Sequence, residues 1–126
     1  MSDLIRVAIT QMACDWNLDG NLDRAEALLR EAAAAGAHVV LLQELFATPY
    51  FCPKQKAEYF SHAAAIEDHP FLGRFASIAK ELGLVCPISF FERVDNTYFN
   101  SMMMIDADGS MLGLYRKSHL PQGPGY

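Results

Sequence analysis

Hydrophobic and polar positions alternate at the start of the chain. Ile5, Val7 and Ile9 interleave with Arg6, Ala8 and Thr10, which predicts a first strand over residues 4–12. A polar loop follows over residues 14–20. The period then lengthens. Leu22, Ala25, Leu29 and Ala32 recur at steps of three and four, predicting a helix over residues 21–35 with one apolar stripe. Asn21 is the expected cap, Gly36 the expected left-handed stop, and Glu26 and Arg30 are spaced to pair on the wet face. Residues 38–43 form a short, nearly continuous run rich in Val and Leu, expected to be a strand buried on both faces. Strand, helix, strand in this order implies a right-handed parallel crossover.

Prolines and aromatics mark residues 47–53 as a loop, and residues 54–65 are read as a short helix. Pro70 suits the first turn of a further helix whose stripe is Phe71, Phe75, Ile78 and Leu82, with Gly83 as its end. Residues 84–91 predict a third strand, weakened by Pro87, which has no N–H for the ladder. Residues 98–105 and 110–115 then read as a hairpin joined by Asp106-Ala107-Asp108-Gly109. Residues 121–126 have the composition of a loop. The sum is an α/β chain with a mixed sheet, without repeats or internal linkers.

Composition narrows the class. The chain has 126 residues, enough for one domain with a real core, and is 52% hydrophobic and 20% charged. A net charge of −5 argues against a nucleic-acid partner. No apolar run approaches the roughly 20 residues that span a bilayer, so no membrane partner is expected. The three cysteines, Cys14, Cys52 and Cys86, fit neither a disulfide framework nor a zinc pattern, which points to reducing cytoplasm. The glycines fit no phosphate-binding loop, and no cofactor is implied.

Two charged positions carry the candidate chemistry. Glu44 follows the second strand, at the carboxyl end where open α/β sheets place ligands. Its other reading is a solvated or locally paired carboxylate. Lys117 follows the last strand, within Tyr115-Arg116-Lys117-Ser118-His119-Leu120-Pro121, where a surface charge is the alternative. His119 has no Ser/His/Asp arrangement around it. Cys86, between Val85 and Pro87, reads as an inert core thiol. Cys14 and Cys52 lie in loops.

Several segments in fixed order resemble the N-terminal part of the nitrilase superfamily of carbon–nitrogen hydrolases. They are Val7-Ala8-Ile9-Thr10-Gln11-Met12, Asn21, and Gly36-Ala37-His38-Val39-Val40-Leu41-Leu42-Gln43-Glu44-Leu45-Phe46. Tyr98-Phe99-Asn100-Ser101 and the segment around Lys117 complete the set, so the resemblance covers residues 4–126. Gln43 departs from it, because the family very often has Pro there. The resemblance implies the first part of an α-β-β-α sandwich and hydrolysis by a Glu–Lys–Cys triad. Glu44 matches the general base and Lys117 the lysine. The family's cysteine comes later, in a motif like Cys-Trp-Asp that nothing here matches, so none of the three cysteines is assigned. Neither a metal nor an organic cofactor is implied. Tyr50-Phe51-Cys52 and Ser89-Phe90-Phe91-Glu92-Arg93 look most like the N-carbamoylputrescine amidase branch, which converts N-carbamoylputrescine and water to putrescine, carbon dioxide and ammonia. Tyr50 and Phe51 are then candidate pocket walls beside Glu44, with core packing as their other reading.

These implications set expectations for residues 1–126 as a partial hydrolase domain. The substrate is an N-carbamoyl amine or amide. Taken alone, the chain is expected to be inactive for want of its nucleophile. One sheet face is expected to stay uncovered, which favours a homo-oligomer or poor solubility. Two alternatives stay open: a non-catalytic interaction or regulatory subunit, and another amidase, nitrilase or binding domain on a similar sheet.

Overall fold

A computed structural model describes residues 3–122, so the loop reading for residues 123–126 lies outside the described residues. The elements in chain order are β1 (Val7–Ile9), α1 (Leu18–Ala34), β2 (Val39–Leu41), two 3-10 turns (Cys52–Lys54 and Ala57–His62), α2 (Leu72–Leu82), β3 (Cys86–Val94), β4 (Thr97–Ile105) and β5 (Met111–Arg116).

The strands lie in sequence order. β1 and β2 run parallel with Val7 opposite Val39 and Ile9 opposite Leu41. A parallel bridge between Val39 and Val85 continues the sheet into β3, where Val40 N donates to Val85 O at 3.0 Å and Val85 N donates to His38 O at 2.9 Å. β3 and β4 pair antiparallel from Cys86–Ile105 to Val94–Thr97, and β5 adds antiparallel to β4 with an irregularity between Met104 and Ile105. The expected mixed sheet and parallel crossover are therefore present.

One face of this sheet holds the core. Val40, Leu42, Cys86, Ile88, Phe90, Met103 and Ile105 meet Leu22, Ala25 and Leu29 of α1 and Leu72, Phe75 and Ile78 of α2. Phe46 sits among these helices, edge-on to Phe71 and Phe75 at 5.5 and 5.3 Å. The opposite face is apolar but open: Val7, Ile9 and Leu41 are 61%, 80% and 45% exposed. This corrects the expectation that residues 38–43 are buried on both faces. A continuous apolar run has no polar residue to mark its open side, so only the helix layer reveals which alternate positions are covered.

Two helical segments and one strand correct the sequence reading. α1 starts a turn early, because Asn17, not Asn21, caps it by accepting from Gly20 N. Asn21 is instead fully buried, and its amide donates to Asp15 O at 2.6 Å and Ala47 O at 2.8 Å. The stop at Gly36 holds: its φ is 85°, Gly36 N donates to Ala33 O, and Ala37 N donates to Ala32 O, the two bonds of a Schellman ending. The helix expected over residues 54–65 is absent, replaced by the two 3-10 turns around Gln55, whose φ of 45° breaks any continuous helix. β3 runs past Phe91 to a two-residue turn at Asp95-Asn96, with Asp95 in the left-handed region.

The Glu26–Arg30 pair forms at 2.9 Å and belongs to a larger cluster. Arg30 also reaches Glu81, and Arg74 bridges Glu26 and Asp23, so α1 is tied to α2 through half-exposed ions of small net worth.

His69 gives the fold an acid sensitivity. Its ring stands edge-on to Phe71 and Phe90 at 4.3 and 4.9 Å, and burial lowers its pKa from 6.5 to about 4. The unfolded chain therefore takes up this proton first. The contribution is complete above about pH 6.5 and is lost as pH falls toward about 4. The urea midpoint is expected to drop between pH 7 and pH 5, and to drop less in His69→Gln, which stays neutral throughout.

Candidate active site

Glu44 lies just beyond β2, at the end of the parallel ladder. The turn that carries it is unusual: Leu45 has a φ of 51°, uncommon for a residue with a branched side chain. Two interactions hold it there. Leu45 N donates to Ser89 Oγ of β3 at 2.9 Å, and the Leu45 side chain is buried with Phe51 and Tyr59. Ser89→Ala should leave a buried N–H without its acceptor and cost about 1–3 kcal/mol. Urea unfolding followed by the fluorescence of Trp16, the one tryptophan of the chain, checks it.

Gln43 anchors the same turn to β1. Its Oε1 accepts from Met12 N at 2.7 Å and its Nε2 donates to Met12 O at 3.0 Å, so a side-chain amide extends the β1–β2 pairing. This is a positive role for the one residue that departs from the resemblance.

Lys117 arrives from the other side of the sheet. Alternation along a strand sends Arg116 and Lys117 to opposite faces. Arg116 goes to the helix side and Lys117 to the open face, where its Nζ lies 3.1 Å from Glu44 Oε1. Asn100 of β4 joins them. Its Nδ2 donates to the same Oε1 at 2.6 Å, and its backbone O accepts from Lys117 N at 2.9 Å. The three residues line an opening of about 400 Å3 whose other walls include Leu41, Pro87, Ser89, Met102 and Tyr115. Two predicted residues separated by 73 positions thus meet, and Asn100 is a third that the sequence reading quoted only within a motif.

Behind this face a second ion pair secures β5. Glu92 is fully buried, and it accepts from Arg116 Nε at 2.9 Å, Arg116 Nη2 at 2.6 Å and Ser101 Oγ at 2.6 Å. The Arg116 guanidinium holds the Glu92 carboxyl below the usual carboxylate range. The same guanidinium lies 4.1 Å from the Phe99 ring centre. Arg116 is the residue before Lys117, so this clamp fixes the strand end from which the lysine projects.

The structure does not bring the other candidates here. Tyr50 and Phe51 do not line the opening with Glu44. Phe51 packs instead beside Leu45, Tyr59 and Phe91, and Tyr50 is 38% exposed. Cys14 contacts Phe46 O at 3.2 Å and Gln43 Nε2 at 3.4 Å, and burial raises its thiol pKa. Cys86 is fully buried and pushed up to about 11, as an inert core thiol should be. Among the described residues, no cysteine lines the opening, and no group of His, Cys, Asp and Glu is placed to hold a metal. No helix among them is long and apolar enough to cross a membrane.

The sequence and fold of this chain are shared with known proteins. The chain is 50% identical over 123 residues to N-carbamoylputrescine amidase of Solanum lycopersicum, a match spanning 98% of this chain and 41% of the relative. It is 43% identical over 122 residues to citrullinase of Francisella tularensis, spanning 97% of this chain and 43% of the relative. Its fold matches a crystal structure of a carbon-nitrogen hydrolase from Helicobacter pylori with a TM-score of 0.87 and 29% identity, over 96% of this chain and 42% of that one. The chain thus spans about two fifths of the length of the relatives it matches. The carbon-nitrogen hydrolase family profile aligns with residues 6–126, and the chain belongs to that family.

Proposed function

We propose that these residues supply the base and the cation of a hydrolase acting on the terminal carbamoyl group of an alkylurea, with N-carbamoylputrescine as the preferred substrate. The observation that carries this is the meeting of Glu44 and Lys117 at 3.1 Å on the wall of an opening about 400 Å3 in volume. The relatives' names support the substrate class. N-carbamoylputrescine and citrulline are both alkylureas with a free carbamoyl NH2, and proteins named for acting on each are among the matches.

The chemistry assigns each group a step. Glu44 takes the proton of a cysteine thiol, which attacks the ureido carbon as thiolate. The Lys117 ammonium donates to the oxygen on which negative charge develops. The C–NH2 bond then breaks, and ammonia leaves with the proton held by Glu44, forming a carbamoyl thioester. Water loses a proton to Glu44 and attacks the thioester. The thiol and a carbamate result, and the carbamate releases carbon dioxide to give the amine. The nucleophile lies outside the described residues in this reading, because neither Cys14, Cys52 nor Cys86 lines the opening.

Ammonia release by the complete gene product from N-carbamoylputrescine, citrulline and a simple aliphatic amide tests the assignment. The expected order of kcat/KM is N-carbamoylputrescine first and the amide last. Preference for the amide would move the chain to another branch of the family.

A further inference from the structure

We infer that Asn100 is a positioning residue that fixes the Glu44–Lys117 pair in its working geometry, an inference that rests on the base-and-cation reading above. Asn100 grips both partners at once. Its side-chain amide donates to Glu44 Oε1 at 2.6 Å, while its backbone O accepts from Lys117 N at 2.9 Å. The second bond continues the β4–β5 ladder one step past the Ser101–Arg116 pair, so it sets the register of Lys117 itself.

Strand alternation explains why the side chain points to the right face. Ser101 is buried and donates to Glu92 behind the sheet, so its neighbour Asn100 faces the open side with Glu44. The residue type matters as well. An amide NH2 can only donate to a carboxylate, whereas a carboxylate at position 100 would repel Glu44 and compete for the Lys117 ammonium. A serine hydroxyl, one atom shorter, would not reach.

The consequence is directional. Asn100 Nδ2 and Lys117 Nζ both converge on Oε1 of Glu44. With that oxygen held by two donors, proton transfer from the nucleophile falls to Oε2. Without Asn100 the carboxylate is held by a flexible lysine alone, free to rotate and to present either oxygen. Misplacing a reacting group by about 1 Å can cost on the order of 100-fold in rate.

The test is steady-state ammonia release from N-carbamoylputrescine by the complete gene product, with Asn100→Ala, Asn100→Asp, Glu44→Gln and the Asn100→Ala/Glu44→Gln double variant. Asn100→Ala is expected to lower kcat about 10- to 100-fold with KM within about twofold, and to add nothing on top of Glu44→Gln, because it acts through that carboxylate. Asn100→Asp, which keeps the shape, should lose at least as much, and it decides the question by the same criteria if the alanine variant does not fold. A wild-type kcat in the folded variant overturns the inference. So does a loss that multiplies with that of Glu44→Gln, since a residue acting independently would do that. If Glu44→Gln itself keeps full activity, the base assignment fails instead, and the two failures are thereby told apart.

Discussion

Glu44→Gln is expected to lower kcat for ammonia release by about 1,000-fold or more, with KM changed little, in the complete gene product. The substitution is nearly isosteric and keeps an oxygen within reach of Asn100 and Lys117, so the fold should survive. What it removes is the charge that, in the proposed mechanism, takes the thiol proton and later returns it to ammonia. In that mechanism both chemical steps depend on that one carboxylate. Lys117→Ala should cost less, about 100- to 1,000-fold, as expected for removing one donor to a developing oxyanion. The two losses should not multiply, because each residue is placed by the other across 3.1 Å. Initial rates at saturating substrate, with circular dichroism as the control for folding, check both.

Arg116→Ala is expected to destabilise the fold by about 3 kcal/mol. Glu92 is 0% exposed and keeps its charge through two bonds from Arg116 and one from Ser101. Removing the guanidinium leaves a buried carboxylate with a single hydroxyl donor. The cost is set at the low end for a broken buried pair because the Arg116 side chain is 41% exposed, and water can enter behind it. Arg116→Met/Glu92→Leu should cost less than Arg116→Ala, since replacing both charges leaves none to neutralise. The native Glu92 carboxyl sits below its usual 4.5, so its contribution is complete above that value and is lost as pH falls through the lower native one. Urea midpoints at pH 7 for the three proteins decide the order.

Much of this was legible in the chain, for physical reasons that also mark where legibility ended. The stripes of α1 and α2 fix which helix faces are buried, and Gly36 and Gly83 stop both helices in the left-handed region. The cap was misplaced because two asparagines stand four apart. Leu18 extends the stripe of Leu22, Ala25 and Leu29 by one turn, which puts the cap at Asn17. β3 was read short because Glu92 interrupts its apolar alternation. That charge occupies a buried position paid for by Arg116, and only the register reveals the partner. Glu44 and Lys117 were visible as charges at strand ends. Asn100 was not singled out, since its importance arises from the β4–β5 pairing that sets it beside Lys117. Tyr50 and Phe51 are candidate pocket walls through the branch resemblance alone; Phe51 packs with Leu45 and Tyr59, the core reading given beside it, and Tyr50 is 38% exposed away from the opening.

The central claim is that this segment carries a working base and cation for carbon–nitrogen hydrolysis. The most direct measurement grafts residues 4–126 in place of the matching segment of the Solanum lycopersicum N-carbamoylputrescine amidase, 50% identical over 123 residues, and follows ammonia release from N-carbamoylputrescine. The account predicts turnover within about tenfold of the parent, falling by about 1,000-fold with Glu44→Gln in the graft. A folded graft that turns over equally well with Glu44→Gln, or a folded graft with no turnover at all, would contradict it.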